Sequence, residues 1–471
     1  MYSMKLGISI RASMWYIICS IVQKACAMIL VPLYIRIMST EEYGIYTIFL
    51  SWEGIVLVFT TLNVAAYVFN NCLIQNENDK DRVTSSLLGL IYLITFCWCI
   101  VLWFVPQTAE YIFGMKSIYI LLVILDSLFV VIIDLWMVRC KFDFKYKSVV
   151  IVTVISSILK LFVGVICVYY SVDKAFMAIV SYVIVQGFIA VFLSCIIFKR
   201  SMNIYVYKYW KYVLLFNIPL IPHFLSIRIL EQSNRLIINH YCGISDVAIY
   251  GFASKISEAM LIFNVAILST LIPWTYKKLK KEKFSDISSK VFVTILFIAC
   301  LNLILELLAP EVIKILGTEE YREAVYIISP IAMSVYFIYL FNIFANISYF
   351  YEENKKIMLC SIISSVFNII LGLYLIPKYG YLIAGYTTLT SYILLAILHM
   401  FLYKYICIRK NISNNIYDLR KINIISIIFI ICSILINFLY DENSIRYIIL
   451  GMIIILLINK KKYILRFLNN K

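Results

Sequence analysis

The chain has 471 residues, of which 63% are hydrophobic and only 14% are charged, and its mean hydropathy is +0.92. A soluble domain of this size could not hide so much apolar surface from water, so the composition excludes a soluble protein and predicts a membrane protein. The thirteen cysteines lie mostly inside apolar runs without metal-ligand spacing, so we expect neither disulfides, nor a metal, nor a cofactor.

Apolar runs recur along the whole chain, and each is long enough to cross the roughly 30 Å hydrocarbon core of a bilayer. They predict an all-α fold with about fourteen transmembrane helices, of which the last two are short. The first run follows Lys5 and Arg11 like a secretory signal, but it continues to Tyr34 and so predicts a first transmembrane helix. The predicted ranges are 13–35, 43–69, 85–105, 117–138, 148–170, 175–198, 212–239, 247–273, 291–309, 324–350, 357–376, 381–403, 421–440 and 445–459.

Lysine and arginine are concentrated in every second loop between these helices, as in the loop from Lys277 to Lys290. Cytoplasmic loops of membrane proteins carry such an excess, and roughly thirty of the 42 basic residues fall on that side. The net charge of +16 is therefore explained by topology, and nucleic acid is not an expected partner. An even number of helices places both termini in the cytoplasm.

Two stretches of the first part of the chain are echoed in the second. The segment "EYGIY" ending at Tyr46 resembles "DVAIY" ending at Tyr250, 204 residues later, and "SSILKLFVG" resembles "SSVFNIILG" at a spacing of 208. Six helices separate each pair, so the repeat predicts two parallel six-helix halves around a central cavity, which is a common transporter plan. The predicted domains are 1–200, 201–404, and an extra helix pair with a basic cytoplasmic tail at 405–471.

The segments around these repeats also resemble a known family. "VPLYIRIMSTEEYGIYTIF", "NIPLIPHFLSIRILEQSNRLIINHYCGISDVAIYGFASKI" and "LGLYLIPKYGYLIAGYTTLTSYI" are similar to signature segments of polysaccharide exporters. These exporters are the O-antigen and capsule flippases of the multidrug, oligosaccharidyl-lipid and polysaccharide exporter superfamily. The chain has Asn234 where relatives commonly have an acid before the arginine, so the local ion pair that the resemblance implies is in doubt here.

The resemblance implies a flippase of the bacterial inner membrane rather than an enzyme. Its substrate would be an undecaprenyl-diphosphate-linked oligosaccharide, such as an O-antigen, lipopolysaccharide or capsule repeat unit. Alternating access would carry this lipid from the cytoplasmic to the periplasmic leaflet, coupled to H⁺ or Na⁺. Membrane lipids and the polysaccharide polymerase machinery are the further partners that it suggests.

Cationic side chains inside the predicted helices point to the same task. A charge within a membrane span costs at least about 2.5 kcal/mol on insertion scales, so each should face a partner or a wet cavity. Arg or Lys in a low-dielectric cavity would hold a diphosphate strongly, and we favour this role over structural ion pairs. The predicted substrate-binding residues are Lys24, Lys160, Arg228, Arg235 and Lys255.

Acidic residues in the same helices have two possible roles. Glu231 and Glu258 each lie three positions from a base, at the spacing of an ion pair on one helix face. Glu53, Asp126 and Asp134 could carry a coupling proton or sodium ion, or they could neutralise Lys24 or Lys160. Both roles are left open, whereas Glu306 is expected to need no special role.

Two other classes of function remain as alternatives. A multidrug exporter of the same superfamily would share the two halves, but its cavity would more often be acidic. A membrane-embedded polysaccharide polymerase or acyltransferase would need a long outer loop and a His-Asp or His-Glu pair, neither of which the sequence shows. Pro219 and Pro222 predict a break near the inner end of the seventh helix.

Overall fold

The computed structural model describes residues 2–65, 68–282, 284–412 and 416–459. Within these ranges the chain is helical almost throughout, and no residue lies in a β-strand. The predicted all-α fold is therefore confirmed. The predicted basic tail after residue 459 lies outside the described ranges.

The chain forms two compact units, Met1–Ala248 and Ile249–Lys471. These units follow packing density, whereas the predicted halves at 1–200 and 201–404 follow the repeat in the sequence. The predicted boundaries thus stay a prediction. We describe each unit by itself.

Unit 1 is built from ten helices and the beginning of an eleventh. A 3₁₀ segment, Ile218–Leu220, joins the ninth helix to the tenth. The helices are α1 (Tyr2–Ile37), α2 (Thr40–Thr61), α3 (Val68–Gln75), α4 (Lys80–Phe104), α5 (Pro106–Phe113), α6 (Ser117–Phe142), α7 (Tyr146–Tyr169), α8 (Lys174–Arg200), α9 (Tyr207–Asn217), α10 (Ile221–Tyr241) and α11 (Ile244–Glu258).

Unit 2 contains the remainder of α11 and eight further helices. The short α14 is followed by a 3₁₀ segment, Glu319–Ala324. The helices are α12 (Leu261–Leu279), α13 (Phe284–Leu307), α14 (Ala309–Leu316), α15 (Val325–Phe350), α16 (Asn354–Tyr379), α17 (Ile383–Arg409), α18 (Leu419–Asn437) and α19 (Asn443–Asn459).

Thirteen helical segments among the described residues are long and apolar enough to cross a membrane. The last predicted helix corresponds to the shorter apolar segment Asn443–Leu456. The chain is thus a multi-pass membrane protein, and the count agrees with the predicted number of about fourteen apart from this short last helix.

Three predicted spans differ from single continuous helices. The span predicted at 43–69 ends at Thr61, because Leu62 and Asn63 adopt left-handed backbone angles, with φ of 49° and 51°. The span at 212–239 breaks at Ile218–Leu220, which confirms the break that the prolines predict. The span at 247–273 is interrupted between Glu258 and Leu261, where no proline or glycine signals the interruption.

The echoed stretch at Tyr46 begins α2 with a capping box. The Ser39 hydroxyl accepts a hydrogen bond from the Glu42 backbone N–H at 3.2 Å, and Glu42 Oε2 accepts one from the Ser39 N–H at 2.8 Å. Two of the N–H groups that a helix start leaves without partners are satisfied in this way. The local sequence therefore determines where α2 begins.

Gly44 lies one turn further along α2, against the first residue of α11. A Cβ atom at this position would overlap the backbone carbonyl of Ile244. Only glycine permits such a close approach of two backbones. The first echoed stretch therefore contacts, within unit 1, a residue that lies two positions before the start of the second.

Candidate functional site

Three charged side chains within the membrane spans of unit 1 interact with one another. Glu53 is on α2, Asp126 on α6 and Lys160 on α7. Asp126 is completely buried, and neither of its carboxyl oxygens has a direct hydrogen-bond partner among the described residues, although the Gln186 amide is a close polar neighbour. Lys160 is therefore the main group that offsets a negative charge on Asp126, and it acts through electrostatic attraction rather than through a hydrogen bond.

Tyrosines enclose this cluster. The Lys160 ammonium lies 4.3 Å from the centre of the Tyr182 ring, within the range of a cation–π interaction. Tyr46 from α2 and Tyr34 from α1 pack edge to face, with ring centres 5.3 Å apart, and both interact electrostatically with Tyr182. These rings limit the access of water and strengthen the interactions among the three charges.

A second acid on α6 links this cluster to α10. Asp134 interacts electrostatically with both Lys160 and Arg228. Arg228 Nη1 donates to Glu231 Oε2 at 3.0 Å, and the two side chains remain 42% and 37% exposed. The predicted pair on one face of the seventh membrane helix is therefore present. We call the set Glu53, Asp126, Asp134, Lys160, Arg228 and Glu231 the charged network.

The other predicted cations lie elsewhere. Arg235 is buried on α10 and donates to Gln232 Oε1 at 2.7 Å. Lys24 is partly buried on α1. In unit 2, Lys255 Nζ lies 2.9 Å from Glu258 Oε2, and this pair is about as exposed as the pair on α10, at 39% and 38%.

The charged network contains four acids and two bases. Lys160 interacts electrostatically with Asp126 and Glu53. This arrangement is compatible with both predicted roles of the acids, which are neutralisation of the lysine and exchange of a coupling proton. Arg228 and Lys255, in contrast, are half-exposed and reach their acids along their own helices. The structure thus separates an enclosed, mixed-charge cluster from cations that a ligand could reach.

Residues 9–279 match the family model described as polysaccharide biosynthesis protein. The match covers more than half of the chain. The chain belongs to this family. Two proteins of Haemophilus influenzae are similar in sequence: a product of the Lsg locus is 25% identical over 209 residues, and an uncharacterised membrane protein is 23% identical over 382 residues.

The coverage of these two relatives differs. The first alignment spans 41% of this chain and 50% of the Lsg protein, so the chain matches only half the length of that relative. The second alignment spans 76% of this chain and 88% of the membrane protein.

Solved structures show that this polysaccharide biosynthesis protein shares the fold of two kinds of transporter. The lipid II flippase MurJ in an inward closed conformation superposes with a TM-score of 0.71 and 15% identity, covering 95% of this chain and 99% of the flippase. An inward-facing multidrug resistance transporter of the MATE family, from the MOP superfamily, gives a TM-score of 0.63 and 13% identity, covering 81% of this chain and 94% of that transporter. At these identities the likeness concerns the fold alone.

Two buried polar groups of this family member were missed by sequence reasoning. Arg446, at the start of α19, is 1% exposed and forms a fork with the two carboxyl oxygens of Glu311, at 2.8 Å and 2.7 Å. Glu306, which was expected to need no role, is completely buried between helices. An arginine inside the last apolar run was a usable signal for the first group, whereas the second required tertiary contacts.

Proposed function

We propose that this protein flips an undecaprenyl-diphosphate-linked oligosaccharide, such as an O-antigen or capsule repeat unit, from the cytoplasmic to the periplasmic leaflet. The family and the shared fold support a flippase of lipid-linked sugars. Among individual residues, the half-exposed cations Arg228 and Lys255 give the main support for this proposal. Because a charge avoids hydrocarbon, a half-exposed cation within a membrane span should face a wet cavity, where a diphosphate can bind it.

We propose that different residues bind the substrate and the coupling ion. In unit 1, Arg228 and Arg235, together with Lys24, would hold the diphosphate, and Lys255 is a separate candidate in unit 2. Asp126, Glu53 and Lys160 would form the coupling site, since a carboxyl that shares one lysine with another acid can gain and lose a proton during alternating access.

Transport in proteoliposomes tests this proposal directly. Purified protein is reconstituted with a fluorescent undecaprenyl-diphosphate oligosaccharide, and its arrival in the outer leaflet is measured with and without a proton or sodium gradient. We expect Arg228→Ala to reduce the rate strongly and Arg228→Lys to retain part of it, because lysine keeps the charge but not the planar fork. Movement of a cationic drug but not of the lipid would favour the multidrug alternative.

A matched pair of variants separates substrate binding from packing. Arg409 also forms an ion pair, with Glu353 Oε1 at 2.6 Å, at the end of a helix in unit 2. Arg409→Ala should leave transport unchanged. If Arg228 only neutralises Glu231, the double variant Arg228→Ala with Glu231→Ala should restore full transport, and that result would overturn the proposed diphosphate contact.

A further inference from the structure

A carboxyl group in unit 2 has hydroxyl groups as its hydrogen-bond partners. Glu306 lies near the end of α13 and is completely buried. Ser329 on α15 lies 3.0 Å from its Oε2, and Ser433 on α18 lies 3.1 Å from its Oε1. The carboxyl therefore bridges three helices.

The groups around Glu306 supply little compensation for a negative charge. Tyr386 on α17 and Tyr440 after α18 are its titratable neighbours, and the buried Tyr440 hydroxyl is a close polar neighbour of Ser329. On α12, titratable side chains occur only in the last turns, from Tyr276 onward. None of these groups forms an ion pair with Glu306.

A cation that contacts the residue next to Glu306 is already engaged. Arg446 from α19 donates to the backbone carbonyl of Leu307 at 2.6 Å and to both oxygens of Glu311 on α14. Its charge is thus balanced by Glu311 rather than by Glu306. An isolated carboxylate within a membrane span is costly, whereas a neutral carboxylic acid can be satisfied by two hydroxyls.

We propose that Glu306 is a proton-binding site, separate from the charged network of unit 1. With the proton bound, the acid O–H donates to one serine hydroxyl and the other oxygen accepts from the second serine. Release transfers the proton to water and leaves a carboxylate that hydroxyls alone do not balance. The proposed site lies where α18, the first helix of the extra C-terminal pair, contacts α13 and α15.

Infrared spectroscopy of the protein in lipid nanodiscs tests the protonation state without any transport substrate. The difference spectrum between wild type and Glu306→Gln should contain a carbonyl band of a protonated carboxylic acid, because glutamine keeps the shape and hydrogen bonding but has no acid. Ser433→Ala should shift this band. Ser426→Ala is the matched control on α18, since Ser426 contacts the Tyr336 hydroxyl instead, and it should leave the band in place.

Thermal unfolding provides an independent measurement. A carboxyl that is protonated in the fold and ionised in the unfolded chain makes the wild type less stable as pH rises. The unfolding temperature of wild type, relative to that of Glu306→Gln, should thus decrease as the pH rises. Replacing choline by sodium as the cation of the buffer should not change this difference. A carboxylate band in place of the acid band, or stabilisation that requires both sodium and Glu306, would overturn the proton site.

Discussion

Lys160 is the residue on which the enclosed cluster of unit 1 depends. It is the cation that interacts with Asp126, Glu53 and Asp134 together. Removing a cation that offsets buried acids leaves their charge less compensated, which destabilises the fold.

We therefore expect Lys160→Ala to lower the unfolding temperature and the amount of protein in the membrane. Adding Asp126→Asn should recover much of the stability, because the uncompensated charge is then removed. Lys147→Ala, at an exposed lysine of the same helix, is the control and should have little effect. Normal abundance of Lys160→Ala would contradict the stabilising role, and loss of transport at that abundance would leave coupling or substrate binding as the function of this lysine.

Glu311 and Arg446 form a second residue-level contact with a defined pH dependence. The hydrogen bonds from Arg446 lower the pKa of Glu311 to about 2. The glutamate pKa in an unfolded chain is about 4.3, so the pair contributes stability above that pH and loses it as the pH falls toward 2.

Arg446→Ala should destabilise the protein at pH 7 by on the order of 1–3 kcal/mol, the usual range for a hydrogen bond to a charged group, since Tyr447 also contributes to the lowered pKa of Glu311 and remains in this variant. The difference from wild type should decrease as the pH is lowered to 3. Unfolding temperatures measured across this range provide the test. Arg446→Lys keeps the charge but loses the two-pronged hydrogen bond, so its loss of stability should be smaller than that of Arg446→Ala. A difference that does not vary with pH would show that packing of α19, rather than the ion pair, is responsible.

At the scale of elements, the beginning of α2 combines a local signal with a tertiary one. The capping box from Ser39 to Glu42 starts the helix, and Gly44 then allows α2 to approach the carbonyl of Ile244. The cap is encoded within four residues, whereas the contact joins positions 200 residues apart.

Gly44→Ala should destabilise unit 1 by about 1–3 kcal/mol, the usual cost of overpacking, because the new methyl group would meet a backbone carbonyl. Gly54→Ala on the same helix is the matched control, since its Cβ would lie 3.5 Å from the flexible Gln232 side chain. Unfolding temperatures of the two variants should differ accordingly. Equal stability of both would contradict the close contact at Gly44.

The second echoed stretch has the same role on two different helices. Ser157 and Gly164 are buried on α7 in unit 1, and their counterparts Ser365 and Gly372 are buried on α16 in unit 2. Small residues at such positions let membrane helices pack closely. The echo in the sequence thus corresponds to equivalent packing faces within each unit.

At the scale of the whole molecule, the distribution of basic residues predicts that both termini and the loop around Lys281 face the cytoplasm. At Lys281 and Lys471, a fused reporter that works only in the cytoplasm should be active, and one that works only in the periplasm should be inactive. A fusion in the outer loop near Lys116 is the opposite control and should report the periplasm. Periplasmic activity at Lys281 or Lys471 would reverse the predicted topology and with it the parallel halves.

The sequence by itself determined the membrane environment, the helical fold and most helix positions, because each span must satisfy its backbone internally and present about twenty apolar residues to lipid. It also determined the proline break before α10 and the ion pairs of Arg228 and Lys255, since these depend on neighbours a few residues away. Tertiary structure alone decided that Asp126 interacts electrostatically with Lys160, that Glu306 meets two serines, and that Arg446 reaches Glu311. These contacts join helices distant in sequence, and no local spacing specifies which buried charges become neighbours.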